Sequence, residues 1–315
     1  MQAEGRNPGH ISLIVHLSRI PAFGLHPGYL YSGTQVPEDY VIEMTNIPAL
    51  LSAHPIDDAI RTRVLQALDQ IEAEHDVTVL FACESGSRGW GFASPDSDYD
   101  VRFVYVNRLP WYLTVEPQRD VIELPISDEL DVCGWDVRKA LQLLRKSNPT
   151  LLEWLDSPVL YREDAQQAAR MRALAPKFFS SLRGRYHYLA MAKKNFRGYL
   201  QGESVRLKKY LYVLRPLLAV RWIDAGLGMP PMRFADLATG VLEDHVLIDE
   251  INRLLAIKMR AGEAECSPRW PAINAFIEAE LEGAERSPDY KRPRGEAHEL
   301  DRFLMEVVMA QGARQ

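Results

Sequence analysis

The run GSRGWGFASPDSDYD at residues 86–100 constrains this chain more than any other, because it joins two short apolar segments. Residues 77–83 (VTVLFAC) and 101–106 (VRFVYV) are rich in β-branched and aromatic residues, the pattern of buried strands. Gly86, Gly89 and Gly91 make the connection conformationally permissive, and Ser94, Pro95, Asp96 and Ser97 are turn formers. The spacing therefore predicts strand, loop, strand. Alternate side chains of a strand share a face, so Asp98 and Asp100 should project two carboxylates side by side while Tyr99 points away.

Two parallel carboxylates repel unless a cation lies between them, and hard Mg²⁺ or Mn²⁺ prefers carboxylate and phosphate oxygens. Two such ions about 4 Å apart can hold both the attacking hydroxyl and the leaving pyrophosphate of an in-line phosphoryl transfer. Gly86 and Ser87 follow the first strand, where missing side chains and a hydroxyl let backbone amides approach phosphate oxygens. The run fits neither the P-loop pattern nor the dinucleotide-binding G-x-G-x-x-G. No H-x-x-x-H or H-E-x-x-H pattern supports zinc hydrolase chemistry.

Around this unit, Ile60, Val64, Leu68 and Ile71 recur at helical spacing, with Asp57 and Asp58 at the favourable N-terminal end. A third strand is expected at 130–135 and a helix at about 136–145, with Asp136 placed to cap it. After Ser147-Asn148-Pro149-Thr150 the pattern becomes helical, near 163–182, 186–201, 203–224, 241–260, 270–282 and 296–311, with a charged loop SPDYKRPRGE at 287–296. The expected fold is α+β, a small mixed β-sheet domain at 44–162 followed by an all-helical domain at 163–315, and 1–43 is expected to be a flexible extension.

A length of 315 residues suits two domains. The net charge of −6 argues against a wholesale nucleic-acid coat. Locally the sign reverses: 183–221 holds ten Lys or Arg residues against the single acid Glu203. Within it Leu207, Leu211, Leu214 and Leu218 form a core stripe, and Lys208, Tyr212 and Arg215 lie on the adjacent stripe. Cys83, Cys133 and Cys266 suggest neither a disulfide framework nor a zinc site, which fits a reducing cytoplasm. No apolar run is long enough to span a membrane, and no export signal is read at the start. Trp90, Phe92, Trp111 and Tyr112 are expected to pack between loop and sheet.

Strand, Gly-Ser, a loop, then Ser-Asp-x-Asp leading into a strand resembles the signature of the DNA polymerase beta type nucleotidyltransferases. More narrowly, GSRGWGFASPDSDYDVRF followed by GWDVRKALQLLRKSNPTLLEWL resembles a bacterial family of nucleotidyltransferases linked to RNA repair, from about Met44 onward. The resemblance implies transfer of an NMP group from a nucleoside triphosphate, ATP foremost, to a hydroxyl such as an RNA end. It implies metal binding by Asp98 and Asp100 and a third carboxylate from a later strand, acting as general base or metal ligand. Asp131 is the preferred candidate and Asp136, already placed as a helix cap, its rival. It further implies that basic residues of the helical domain grip the triphosphate, favouring Lys208 and Arg215, with Lys209 as alternate. Arg88 and Arg102 suit either substrate contact or neutralisation of the acids. The competing readings are adenylylation of a protein or small molecule by the same site, and a non-catalytic nucleotide- or RNA-binding module.

Overall fold

In the computed structural model, which describes residues 56–126, 129–260, 264–284 and 293–312, the first element is the expected helix, α1 (Asp58–His75). The Asp57 carboxylate caps it by accepting from the Ala59 N–H at 2.7 Å, and Val64, Leu68 and Ile71 form its buried stripe. The expected extension at 1–43 lies outside the described residues, as does the start of the charged 287–296 loop.

Strand β1 (Val77–Glu84) leads through a five-residue helix, α2 (Gly86–Trp90), to β2 (Tyr99–Asn107). The short helix α3 (Leu109–Tyr112) and strand β3 (Val121–Glu123) follow, then β4 (Leu130–Asp136), α4 (Val137–Arg145), α5 (Pro149–Leu155) and β5 (Leu160–Glu163). Among the described residues these five strands form a mixed sheet in the order β3-β4-β2-β1-β5. The β2–β4 pair is parallel and the other neighbours are antiparallel. A register shift between Val79 and Phe81 lets Leu80 and Phe81 both join the core beneath the sheet, while Val79 and Ala82 join the layer under α1.

The helical part consists of α6 (Ala165–Phe178), α7 (Ser181–Tyr199), α8 (Leu207–Asp224), α9 (Phe234–Val241), α10 (His245–Arg260), α11 (Pro271–Gly283) and α12 (Ala297–Gly312). Residues 204–206, expected to open the α8 helix, instead form β6 (Ser204–Arg206) and pair with β7 (Cys266–Pro268). The reason is local: Val205 is buried in that ladder opposite Ser267. Helix α8 is the hub. Its expected leucine stripe is buried, but so are Tyr210, Val213, Leu217 and Val220, so it is covered nearly all round.

One apolar core runs from Leu80 in β1 to Val308 in α12, and a second lies between α1 and the opposite face of the sheet. Among the described residues no helix is long and apolar enough to cross a membrane.

Candidate active site

Gly86 turns the chain out of β1 at φ +56°, a left-handed conformation suited to glycine. A Cβ there would lie 1.9 Å from Asp100 Oδ2, so the turn and the carboxylate are packed in direct contact. Ser87 is buried in the first turn of α2. The main chain of Asp100 is held at both ends by residues flanking this turn. Its carbonyl accepts the Ser85 N–H at 2.8 Å, and its N–H donates to Glu84 Oε1 at 2.8 Å.

Glu84, at the end of an apolar strand, carried no signal in the sequence beyond being an acid. Its side chain is fully buried and accepts the Tyr161 hydroxyl at 2.5 Å. Burial, with the charge of Asp100 adding to it, pushes its carboxyl up to about 7, against the lowering effect of the Tyr161 and Asp100 hydrogen bonds.

The parallel register places Asp131 directly opposite Asp100. Both carboxylates converge on one nitrogen: Arg102 Nη2 is 2.9 Å from Asp100 Oδ1 and 2.7 Å from Asp131 Oδ2. Burial opposes the Arg102 charge, but the Asp131 hydrogen bond and the charge of Asp100 outweigh it and raise its pKa. Arg102 thus neutralises the acids. Arg88 instead binds the turn's main chain, donating to the Ser97 and Asp98 carbonyls at 2.7 and 3.3 Å, and its guanidinium lies 3.8 Å over the Tyr99 ring.

The strand begins at Tyr99, so Asp98 sits just ahead of it and is exposed, not a strand residue as the alternation predicted. Asp136 occupies the other end of β4. It caps α4 by accepting the Arg138 N–H at 2.8 Å, and it accepts from Tyr112 Oη at 2.6 Å and Asn107 Nδ2 at 2.9 Å. Among the described residues no three His, Cys, Asp or Glu side chains form a ready-made metal cluster. The Asp100 and Asp131 pair nevertheless fits a hard cation, because its oxygens already face a single cationic centre.

The helical half meets this region behind α2. Arg215 is 3% exposed, and its guanidinium donates to Glu153 Oε1 at 2.8 Å and to the Met232 carbonyl at 3.0 and 3.2 Å. It also lies 4.8 Å from the Trp90 ring centre, so its donors are directed into the wall behind the turn. Trp90 Nε1 donates to Glu153 Oε2 at 3.2 Å. Tyr212 meets Trp90 edge-on at 5.7 Å, and Lys208, one turn before Tyr212 on the same side of α8, is half-buried. The Lys209 ammonium lies 3.9 Å over Tyr199 and 4.9 Å over Tyr212. The aromatic run divides: Trp90 packs with Phe92 at 5.7 Å, whereas Trp111 and Tyr112 pair at 4.9 Å near Asp136.

The chain is 44% identical over 250 residues to the uncharacterized protein YcgL of Bacillus subtilis (strain 168), covering 79% of this chain and 96% of that one. A crystal structure of a nucleotidyltransferase-like protein from Exiguobacterium sibiricum 255-15 aligns over 78% of this chain and 80% of that chain, at 14% identity and a TM-score of 0.28. Residues 60–306 match the RNA repair pathway DNA polymerase beta family, and the chain belongs to that family.

Proposed function

We propose that this protein transfers a nucleotidyl group from a nucleoside triphosphate, ATP foremost, to a hydroxyl acceptor and releases pyrophosphate. The observation that carries the reading is the convergence of Asp100 and Asp131 on one cationic position beside the Gly86 turn. The acceptor oxygen bonds to the α-phosphorus as the bond from that phosphorus to the bridging oxygen breaks. Asp131 accepts the hydroxyl proton. Asp98, Asp100 and Asp131 would hold Mg²⁺ or Mn²⁺, which supplies charge neutralisation for the phosphates when bound. For this the Arg102 Nη2 donor would have to give up its bonds to the two carboxylates.

Gly86 and Ser87 bind phosphate oxygens through the main-chain amides of the turn that packs against Asp100. Lys208 is the further phosphate ligand, and Arg215 contributes from behind by fixing Trp90 and hence α2. The description of the family supports an RNA end as acceptor. The net charge of −6 favours, as second reading, adenylylation of a protein or small molecule at the same site. Three cysteines, none paired, support a reducing cytoplasmic setting.

Incubating the purified protein with α-³²P-labelled NTPs, Mg²⁺ or Mn²⁺, and RNA oligonucleotides or cell extract tests this. Label on RNA is the expected result, and label on protein or a small molecule selects the second reading. No transfer with either metal, together with unchanged nucleotide binding in Asp98→Asn/Asp100→Asn, rejects catalysis in favour of a binding module.

A further inference from the structure

The turn that delivers Asp98 and Asp100 is held by a side chain from the far end of the chain. Lys258, near the C-terminal end of α10, is 2% exposed, and its Nζ donates to Ser94 Oγ at 2.6 Å and Ser97 Oγ at 3.2 Å. Ser97 Oγ also accepts the Ser94 N–H at 2.9 Å, and the two hydroxyl oxygens are 3.0 Å apart. The turn therefore closes around the ammonium. Arg88 grips the same turn through the Ser97 and Asp98 carbonyls.

Placing an ammonium in the interior is costly, and an apolar side chain of similar length would fill the same space without that cost. What an apolar residue lacks is directed donors. Two hydrogen bonds from one rigid anchor fix the rotation of the 94–97 turn, and Asp98 is the next residue along the chain. A carboxylate displaced by an ångström from its partners loses much of its value in a reaction that depends on alignment.

We propose that Lys258 is a positioning residue of this centre: through Ser94 and Ser97 it sets where Asp98 stands relative to Asp100 and Asp131. The proposal rests on the nucleotidyl-transfer reading. It couples the helical half of the chain to the geometry of the carboxylates without Lys258 touching substrate.

The test compares full-length wild type with Lys258→Met, Lys258→Arg and a control, Arg185→Met. Arg185, itself buried, pairs with the exposed Asp224 at 2.8 Å between α7 and α8, so its loss lowers stability without touching the turn. Mn²⁺ binding followed by electron paramagnetic resonance, amide exchange over residues 92–100 without metal, and kcat and KM for NTP are measured. Lys258→Met is expected to weaken Mn²⁺ binding, speed exchange over 92–100, and lower kcat on the order of 10- to 100-fold with a much smaller change in KM. Lys258→Arg should recover part of each, and Arg185→Met should lower the melting temperature alone. Wild-type Mn²⁺ affinity, exchange and kcat in Lys258→Met overturn the proposal, as does an equal loss of all three in Arg185→Met. If Lys258→Met does not fold, Ser97→Ala, which removes one acceptor, carries the same comparison with the same overturning result. A wild-type protein that transfers no nucleotide refutes the functional reading instead, and unchanged exchange over 92–100 in the variant then still overturns the role of Lys258.

Discussion

Gly86 answers to two constraints at once, a left-handed backbone and contact with the Asp100 carboxylate, and either would exclude a larger residue. Gly86→Ala is expected to cost about 1–3 kcal/mol from the backbone conformation alone. Its methyl must also displace Asp100, so transfer activity should fall more steeply than the melting temperature, on the order of 100-fold. Steady-state kinetics beside a thermal melt decide this: retained activity would separate Gly86 from the site. In the sequence Asp131 and Asp136 each stand between apolar neighbours, and Asp131 is preferred only because Asp136 is already placed as a helix cap. Register separates them, setting Asp131 opposite Asp100 and Asp136 five residues on, about 17 Å along the strand. Asp131→Asn should abolish transfer by a hundredfold or more, whereas Asp136→Asn should leave kcat near wild type and alter stability instead. Burial raises the Asp136 carboxyl above its ordinary value despite the bonds from Tyr112, Asn107 and Arg138. The folded state thus favours the protonated form. Its contribution to stability is complete below about pH 3.9 and is lost as pH rises through the raised value. Asp136→Asn removes that slope, so denaturant midpoints measured across acid to neutral pH should fall less with rising pH in the variant than in wild type.

At the scale of elements, the helices that show a one-sided apolar pattern were legible, as were the β-branched strands. Helix α1 starts where Asp57 and Asp58 place it, and strands β1, β2 and β4 stand within two residues of their expected places. Helix α2 was hidden because Gly86 and Gly89 read as loop, and its stability comes from the wall behind it, not from propensity. A Cβ on Gly89 would lie 2.5 Å from Met232 Cε and 2.8 Å from the Glu84 carbonyl, so only glycine lets α2 pack this tightly between β1 and the helical half. Strands β3 and β5 are short edge strands, and three or four residues carry little periodicity. Helix α8 misled differently: Arg215, expected on the stripe beside the core and gripping the triphosphate, is inside. Arg215→Met leaves Glu153 buried with its charge partner gone, which costs about 3–5 kcal/mol. Adding Glu153→Leu should restore part of that loss, although Trp90 and Tyr188 also donate to Glu153. Chemical denaturation of both single variants and the double variant measures the coupling. If Arg215 gripped the triphosphate directly, its removal would raise the NTP KM while leaving stability near wild type, the opposite pattern.

For the molecule as a whole, the boundary expected between residues 162 and 163 falls at the last residue of β5, just ahead of α6, and the buried core does not stop there. Leu80, Phe81, Val104 and Val106 of the sheet belong to the same apolar cluster as Leu211, Leu254 and Val307 of the helices. Helix α6 packs on β1, and α12 packs on α4 and β2. Gln311 of α12 accepts from Thr78 Oγ1 at 2.8 Å, tying the last helix to the first strand. A sequence divides where its pattern changes, but which face of a strand is covered by which distant helix depends on long-range packing. Each large apolar side chain uncovered costs about 2 kcal/mol, and a domain has about 5–15 kcal/mol in all. Exposing the sheet's lower face should therefore exhaust the stability of the part that bears the carboxylates. A chain cut to residues 56–162 is expected to lack a cooperative unfolding transition, and the full chain to show coincident transitions by tryptophan fluorescence and circular dichroism. Two separated transitions, or a sharp melt in the shortened chain, would show that the two halves are independent. Their joint unfolding would instead make the carboxylate geometry depend on the helices that Lys258 and Arg215 belong to.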